Sequence, residues 1–294
     1  EHFAMLKHCA WNGLTPCDLV FPFFLFMVGV SIHLARPTLT KILRRTAILF
    51  AVGVALHAWD AWIWGEEDIL ANLRITGVLQ RIALCYGIVS IMTLYVPARH
   101  LWKIAAALLA VYTFILLAFN GYAPDDSNFA NIIDRVVFGT AHLYHKGPID
   151  PEGLPGLIPS VAHTIIGLLF GCLIVSKAPI ERRLVKILAW AFVLIFAAWF
   201  LSYGLPLNKR IWSPTYTLAT CGMAAALLAL LTIVIDQRGY QRPFRLFQMF
   251  GINAFGLYAI SEMLPSLFGR FGVYDAVWPA ICTLIPSPCW ASLA

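Results

Sequence analysis

Runs of roughly twenty apolar residues, parted by short polar stretches, recur along the whole chain. The pattern predicts spans at about 17–36, 43–62, 76–96, 100–120, 156–176, 184–204, 213–236 and 246–268. A short ninth at about 274–286 is interrupted by Pro279 and Pro286. A helix rising about 1.5 Å per residue needs about twenty such residues to cross a hydrocarbon core of about 30 Å. The predicted fold class is therefore all-α, a polytopic helical membrane protein with about nine spans. The chain opens at Glu1 in a polar stretch, and a further span is expected before it. No block between spans is long enough to fold alone, so residues 1–294 read as a single transmembrane domain with one long outer loop at about 121–155.

Composition agrees with a lipid setting, since 60% of the residues are hydrophobic and only 12% are charged. The net charge of +6 would point to nucleic acid in a soluble protein. Here no basic patch is interleaved with aromatics, and nucleic acid is excluded as a partner. The basic residues instead sort by loop. One alternate set holds Arg36, Lys41, Arg44, Arg45, Arg99, Lys103, Lys177, Arg182, Arg183, Lys186, Arg238, Arg242 and Arg245. The other holds Lys7, Arg74, Arg135, Lys146, Lys209, Arg210 and Arg270, along with most of the acids. The positive-inside rule places the first set in the cytoplasm. The loop around His8 and the 121–155 loop then face outward.

Charged groups inside a bilayer are costly and mark function or a paired partner. Asp18, His57, Arg81, His163 and Glu262 come from five different spans. Counted at about 1.5 Å per residue, all five fall in one layer within roughly 10 Å of the outer face. His8 hangs above that layer, in the stretch His8-Cys9-Ala10-Trp11-Asn12-Gly13-Leu14-Thr15-Pro16-Cys17-Asp18. Asn-Gly and Thr-Pro are turn dipeptides, and Trp suits the water–lipid interface. The layer reads as a site; its structural alternative is a network in which Arg81 pairs with Asp18 or Glu262. On the inner side Arg44 and Arg45 suit either an anionic phosphate or lipid headgroups.

The seven cysteines show no metal spacing, and Cys9 and Cys17 are close enough in sequence to form a bridge. His142 and His145 lack an acid or Cys partner at matching spacing, so no metal is expected. No Walker loop, dinucleotide fingerprint, Gly-x-Ser-x-Gly elbow or His-Glu-x-x-His is present.

The His8–Thr15 stretch, followed by Asp18-Leu19-Val20-Phe21-Pro22, resembles the heparan-α-glucosaminide N-acetyltransferase family of membrane acetyltransferases. Further co-linear matches are Gly77-Val78-Leu79-Gln80-Arg81, Ile133-Asp134-Arg135, His142-Leu143-Tyr144, Asp150-Pro151-Glu152-Gly153, Pro206-Leu207-Asn208-Lys209 and Trp212-Ser213. The chain looks like a bacterial-type member, and the lysosomal enzyme's long amino-terminal luminal region has no counterpart in it. The resemblance implies acetyl transfer from cytoplasmic acetyl-CoA to an amino sugar across the membrane, with the family's active-site histidine falling on His8. It also implies a homodimer and a place in the inner (plasma) membrane with His8 facing the periplasm. On this reading His8 acts as general base or carries the acetyl group itself. Asp18 orients His8 or binds the acceptor's ammonium, and Asp150 and Glu152 bind sugar hydroxyls. Arg81 or Asn208 stabilises the oxyanion, Asn12, His163, Lys209 and Glu262 complete the substrate site, and Arg44 and Arg45 hold the phosphates of acetyl-CoA. A sugar carrier of the inner membrane is the competing class, since an outer polar layer suits it as well.

Overall fold

The computed structural model describes residues 3–144 and 149–284, and among these the regular elements are all helical. In chain order they are α1 (Val20–Ala35), α2 (Leu39–Trp64), α3 (Ile69–Asn72), α4 (Val78–Tyr95), α5 (Ala98–Ala118) and α6 (Phe129–Phe138). There follow α7 (Leu157–Ile174), α8 (Ile180–Leu201), α9 (Pro214–Leu231), α10 (Arg245–Ile252), α11 (Ala254–Arg270) and α12 (Val273–Leu284). Seven segments are long and apolar enough to cross a membrane: Pro16–Ala35, α2, α4, α5, α7, α8 and Pro214–Gln237. These meet the first seven predicted spans.

The eighth predicted span is divided. α10 stops at Ile252, and Asn253 leaves helical geometry at φ −103°, ψ 16° before α11 resumes. Its side-chain amide donates to the Met249 carbonyl at 3.0 Å, the local competition by which Asn disfavours a helix interior. The ninth is the 12-residue α12, and the remainder of that prediction, Pro286 included, lies outside the described residues.

α7 is the centre of the bundle, buried along most of its length and packed on α1, α4, α5 and α9. Its contact with α1 is backbone on backbone. A Cβ on Gly29 would sit 2.1 Å from the Thr164 carbonyl oxygen, and one on Gly167 would sit 2.2 Å from that of Phe26. Small residues permit this approach, which dispersion rather than the hydrophobic effect must hold in lipid. The hydroxyls of Ser160 and Thr164 donate to the carbonyls of Gly156 and Ser160, at 2.7 and 3.0 Å, so no polar atom of theirs is left bare.

A second, smaller core lies beside the amino-terminal loop. Tyr112, Leu116, Phe129, Ala130, Ile149 and Ile211 pack together, with Trp11 and Tyr122 against them. Asn128 caps α6, accepting from the Ala130 amide at 2.9 Å and donating to the Gly121 carbonyl at 2.7 Å. This cap anchors the amino-terminal loop, because Trp11 Nε1 donates to the Tyr122 carbonyl at 3.2 Å.

Candidate active site

The amino-terminal loop is short of regular structure, yet its backbone is fixed from two sides. Gly13 N donates to the Leu207 carbonyl at 2.8 Å, and Asn208 Nδ2 donates to Asn12 Oδ1 at 3.1 Å. The 206–213 turn is itself built on Ser213, whose hydroxyl accepts from Asn208 N (3.0 Å) and Tyr216 N (3.2 Å) at the start of α9. Trp212 closes that turn in the left-handed region at φ 50° and is almost fully buried.

Within this frame Thr15 and Asp18 form a capping box on the 3-10 turn Pro16–Leu19. Asp18 Oδ2 accepts from Cys9 N (3.2 Å), Thr15 N (3.1 Å) and the Thr15 hydroxyl (2.9 Å). Its main-chain carbonyl accepts from Tyr216 OH at 2.6 Å. The carboxylate is thereby pinned, and its remaining oxygen, Oδ1, meets His8 Nδ1 at 2.7 Å. An ionised carboxylate only accepts, so Nδ1 carries the proton and Nε2 presents a lone pair. Lys209 Nζ stands 3.3 Å from Asp18 Oδ1 and 3.1 Å from Nδ1. Because Nδ1 is already a donor, the ammonium's bond is to the carboxylate. Asp18 is 1% exposed and the His8 side chain 59%. A buried, compensated anion therefore orients a ring that a substrate can reach.

Cys17 and Cys9 flank the dyad differently, and both are free thiols, so the bridge that the sequence allows is not formed. Burial first, and then the nearby Asp18 carboxylate, push the Cys9 thiol above its ordinary value. Cys17 Sγ instead lies 3.8 Å from His8 Nε2.

The other predicted residues separate into groups. Asp150 and Glu152 are gathered by Arg74, whose Nη2 lies 2.7 Å from one oxygen of each. Asp150 also accepts from the Thr76 hydroxyl, Tyr144 N (2.9 Å) and Glu152 N (2.9 Å). Burial acts to raise the Asp150 pKa, but Arg74 and these donors outweigh it and hold the group below the usual carboxylate range. Asp150 is thus the keystone of the turn that precedes α7.

Arg81 is buried and pairs with neither Asp18 nor Glu262. Its Nη2 donates to the Gly153 carbonyl at 2.6 Å, and its guanidinium lies over the Trp212 ring at 5.4 Å. The same indole takes His163 edge-on at 5.8 Å and Tyr216 at 5.3 Å. Arg81 and His163 therefore flank Trp212 behind the dyad, and Tyr216 links that layer to Asp18. Glu262 lies apart, in a cavity of about 230 Å³ with His57, Asp60, Gln80, Tyr258 and Ser261. A second cavity of about 270 Å³ is lined by Thr76, Gln80, Arg81 and Glu152 among apolar side chains. Arg44 and Arg45 are in the first two turns of α2, with Arg45 over the Tyr86 ring at 5.0 Å. His142 Nδ1 bonds the Leu73 carbonyl at 2.7 Å, and His145 lies outside the described residues.

Sequence reading missed Arg74, Tyr216 and Asp134 as organisers. Asp134 Oδ1 accepts from Leu154 N at 2.7 Å, and burial raises its pKa to about 7, the Asp150 charge adding to it. Thr15 did carry a signal, the Thr-x-x-Asp spacing of a capping box.

No family model matches the chain. Over 333 aligned residues it is 26% identical to the heparan-alpha-glucosaminide N-acetyltransferase of Homo sapiens, covering 89% of this chain and 49% of the human protein. The Mus musculus protein of the same name is also 26% identical, over 89% of this chain and 50% of its own length. The relationship is a distant one, and the chain spans about half the length of the curated relatives it matches.

Proposed function

We propose that this chain is a membrane N-acetyltransferase that moves an acetyl group from acetyl-CoA to the amine of an amino sugar, with His8 at the reacting centre. The observation that carries this reading is the His8–Asp18 pair, a buried carboxylate holding an accessible imidazole by Nδ1 and so leaving the lone pair on Nε2. The relatives' name supplies the reaction class.

As general base, Nε2 takes the proton of the attacking amine, and the thioester carbon passes through a tetrahedral oxyanion before CoA leaves as the thiol. As nucleophile, Nε2 accepts the acetyl group first and the amine removes it afterwards. Asp18 serves both routes, since it fixes the tautomer and stabilises the imidazolium as charge appears. The Lys209 ammonium, beside the ring, supplies positive charge where the oxyanion develops.

Loop charges support entry of acetyl-CoA from the cytoplasmic face, with its phosphates near Arg44 and Arg45, and His8 on the periplasmic side of a bacterial plasma membrane. On this reading Asn12 and Glu152 meet the sugar, and the fully buried Asn208 acts from behind by holding the Asn12 side chain. One observation favours a carrier instead, namely the polar cavity of His57, Asp60 and Glu262 among the spans. Both readings are tested in lipid vesicles given labelled acetyl-CoA on one face and glucosamine on the other. Labelled N-acetylglucosamine from the wild type and none from His8→Ala is the expected result. Equilibration of free sugar without acetylation would turn the reading to a carrier.

A further inference from the structure

The two ring nitrogens of His8 are engaged by consecutive residues of one short turn. Nδ1 meets Asp18 Oδ1 at 2.7 Å, and Nε2 meets Cys17 Sγ at 3.8 Å, within reach of a sulfur hydrogen bond. The polarity of the chain of bonds is fixed by Asp18. Its ionised carboxylate compels the proton onto Nδ1, so Nε2 is the acceptor and the thiol is the donor. A thiol facing a base, with the base held by a third group, is the arrangement that activates a cysteine nucleophile. Both thiol and ring are solvent-accessible, and Cys17 is not tied up in a disulfide. Cys9, the other cysteine of the loop, faces the Asp18 carboxylate rather than the imidazole, and burial and that charge raise its thiol pKa.

We infer that Cys17 is an acyl-accepting nucleophile, forming with His8 and Asp18 a Cys–His–Asp relay that takes the acyl group from a thioester donor as a cysteine thioester. The inference rests on the acyltransferase reading. In the first half, Nε2 takes the Sγ proton as the sulfur attacks the donor's carbonyl carbon. The donor's C–S bond breaks, and the leaving thiolate recovers that proton from the imidazolium. One thioester replaces another, so the activation of the acyl group is retained. In the second half, the acceptor amine attacks the Cys17 thioester and gives its proton to Nε2. The C–Sγ bond breaks, and Sγ takes the proton back, restoring the thiol and releasing the amide.

This assignment gives His8 the part of base in both halves. It also explains why the imidazole needs a fixed Nδ1 tautomer, since the other tautomer would offer its N–H to the sulfur instead of a lone pair.

The test uses the full chain in lipid nanodiscs, incubated with labelled acetyl-CoA and no acceptor, quenched in acid and mapped by mass spectrometry. One acetyl group on the Cys17 peptide, released by neutral hydroxylamine and chased onto added glucosamine, is expected. Cys17→Ala should lose that label, and turnover should fall by about 100-fold or more. Label on His8 alone, or wild-type turnover by Cys17→Ala, overturns the relay and leaves the acetyltransferase reading standing. Failure of the wild type to make N-acetylglucosamine defeats that reading instead, and the relay then stands or falls on Cys17 labelling from acetyl-CoA alone. A second measurement guards against a variant that misfolds. Iodoacetamide should alkylate wild-type Cys17 at least about tenfold faster than Cys17 of His8→Gln, and acetyl-CoA should protect it. Equal rates in the two proteins overturn the pairing.

Discussion

A single nitrogen of Arg74, Nη2, lies 2.7 Å from Asp150 Oδ1 and 2.7 Å from Glu152 Oε2, so one guanidinium bridges two carboxylates of the loop before α7. Its plane also covers the Tyr144 ring at 4.8 Å. The bridge ties the α3–α4 connection to the entry of α7, the helix on which the bundle is centred.

Arg74→Met should therefore cost about 3–5 kcal/mol, because the nearly fully buried Asp150 would lose its counter-charge. Thermal unfolding in detergent at neutral pH measures it. The sign with pH is set by the lowered Asp150 pKa in the native protein. The wild-type advantage is fully present above the unfolded carboxylate value and is lost as pH falls through the folded one. The gap between wild type and Arg74→Met should thus narrow in acid, and Arg74→Met/Asp150→Asn should recover part of the loss at neutral pH. Equal melting temperatures for wild type and Arg74→Met would reject the bridge as a stabilising element.

How much of this was legible in the sequence follows from what a linear pattern can encode. Span positions were legible, since an apolar run of about twenty residues has one ready fate in a bilayer. That Asp18, His57, Arg81, His163 and Glu262 are ionisable groups within apolar runs was legible too, because a charge stands out against such a run. Their direction around the bundle axis was not, and that decides who meets whom. Asp18 joins His8, Arg81 and His163 flank Trp212, and His57 and Glu262 line a separate cavity. The His8–Asp18 contact spans a non-helical loop, so no helical spacing announced it. Arg74 looked like one more loop charge, because nothing in its neighbourhood marks the two carboxylates more than seventy residues away that it binds.

Asp134 makes the packing of α6 on the loop before α7 sensitive to pH in the opposite sense. Its pKa is raised from 3.8 to about 7. A raised carboxyl contributes stability below the unfolded value, and that contribution disappears as pH climbs through the folded one. Protection of the Leu154 amide, which donates to Asp134 Oδ1, should accordingly fall between about pH 4 and pH 7 and level off above. Asp134→Asn keeps the acceptor but not the titration. Hydrogen exchange at Leu154 across that range should be steeper with pH in the wild type than in the variant, once the intrinsic exchange rate is divided out. Identical profiles would remove Asp134 from the account.

The crossing of α1 and α7 predicts intolerance of even one methyl group. At Gly29 and at Gly167 the added Cβ would meet a backbone carbonyl oxygen at 2.1 and 2.2 Å, and a carbonyl within a helix cannot swing aside as a side chain can. Gly29→Ala and Gly167→Ala should each destabilise the bundle by about 1–3 kcal/mol. Gly65→Ala tests whether crowding at the crossing or conformational freedom is responsible. That glycine has nothing within 4 Å but holds φ 74°, so its cost, about 1 kcal/mol, arises from the left-handed backbone alone. A melting series in one detergent ranks the three. A Gly29→Ala variant as stable as the wild type would show that the helices separate freely there.

The dyad itself makes the sharpest prediction for activity. Asp18→Asn preserves size, and its side-chain oxygen can still accept from Thr15 and Cys9. Its amide, however, turns one acceptor into a donor and removes the charge that Lys209 and the Nδ1 proton both meet. The imidazole is then held in the wrong tautomer, accepting at Nδ1 with its proton on Nε2, and the imidazolium formed during transfer loses its counter-ion. Turnover should fall by about 10²–10⁴-fold, the usual worth of a positioned acid–base group, while the KM for acetyl-CoA changes little. Lys209→Met should behave differently. It leaves Asp18 held by Cys9, Thr15 and His8 but removes the positive charge beside the ring, so turnover should fall while the geometry of the dyad is kept. Steady-state rates of N-acetylglucosamine formation across pH for wild type, Asp18→Asn and Lys209→Met separate these effects. Wild-type turnover by Lys209→Met would show that the ammonium plays no part in stabilising the developing oxyanion.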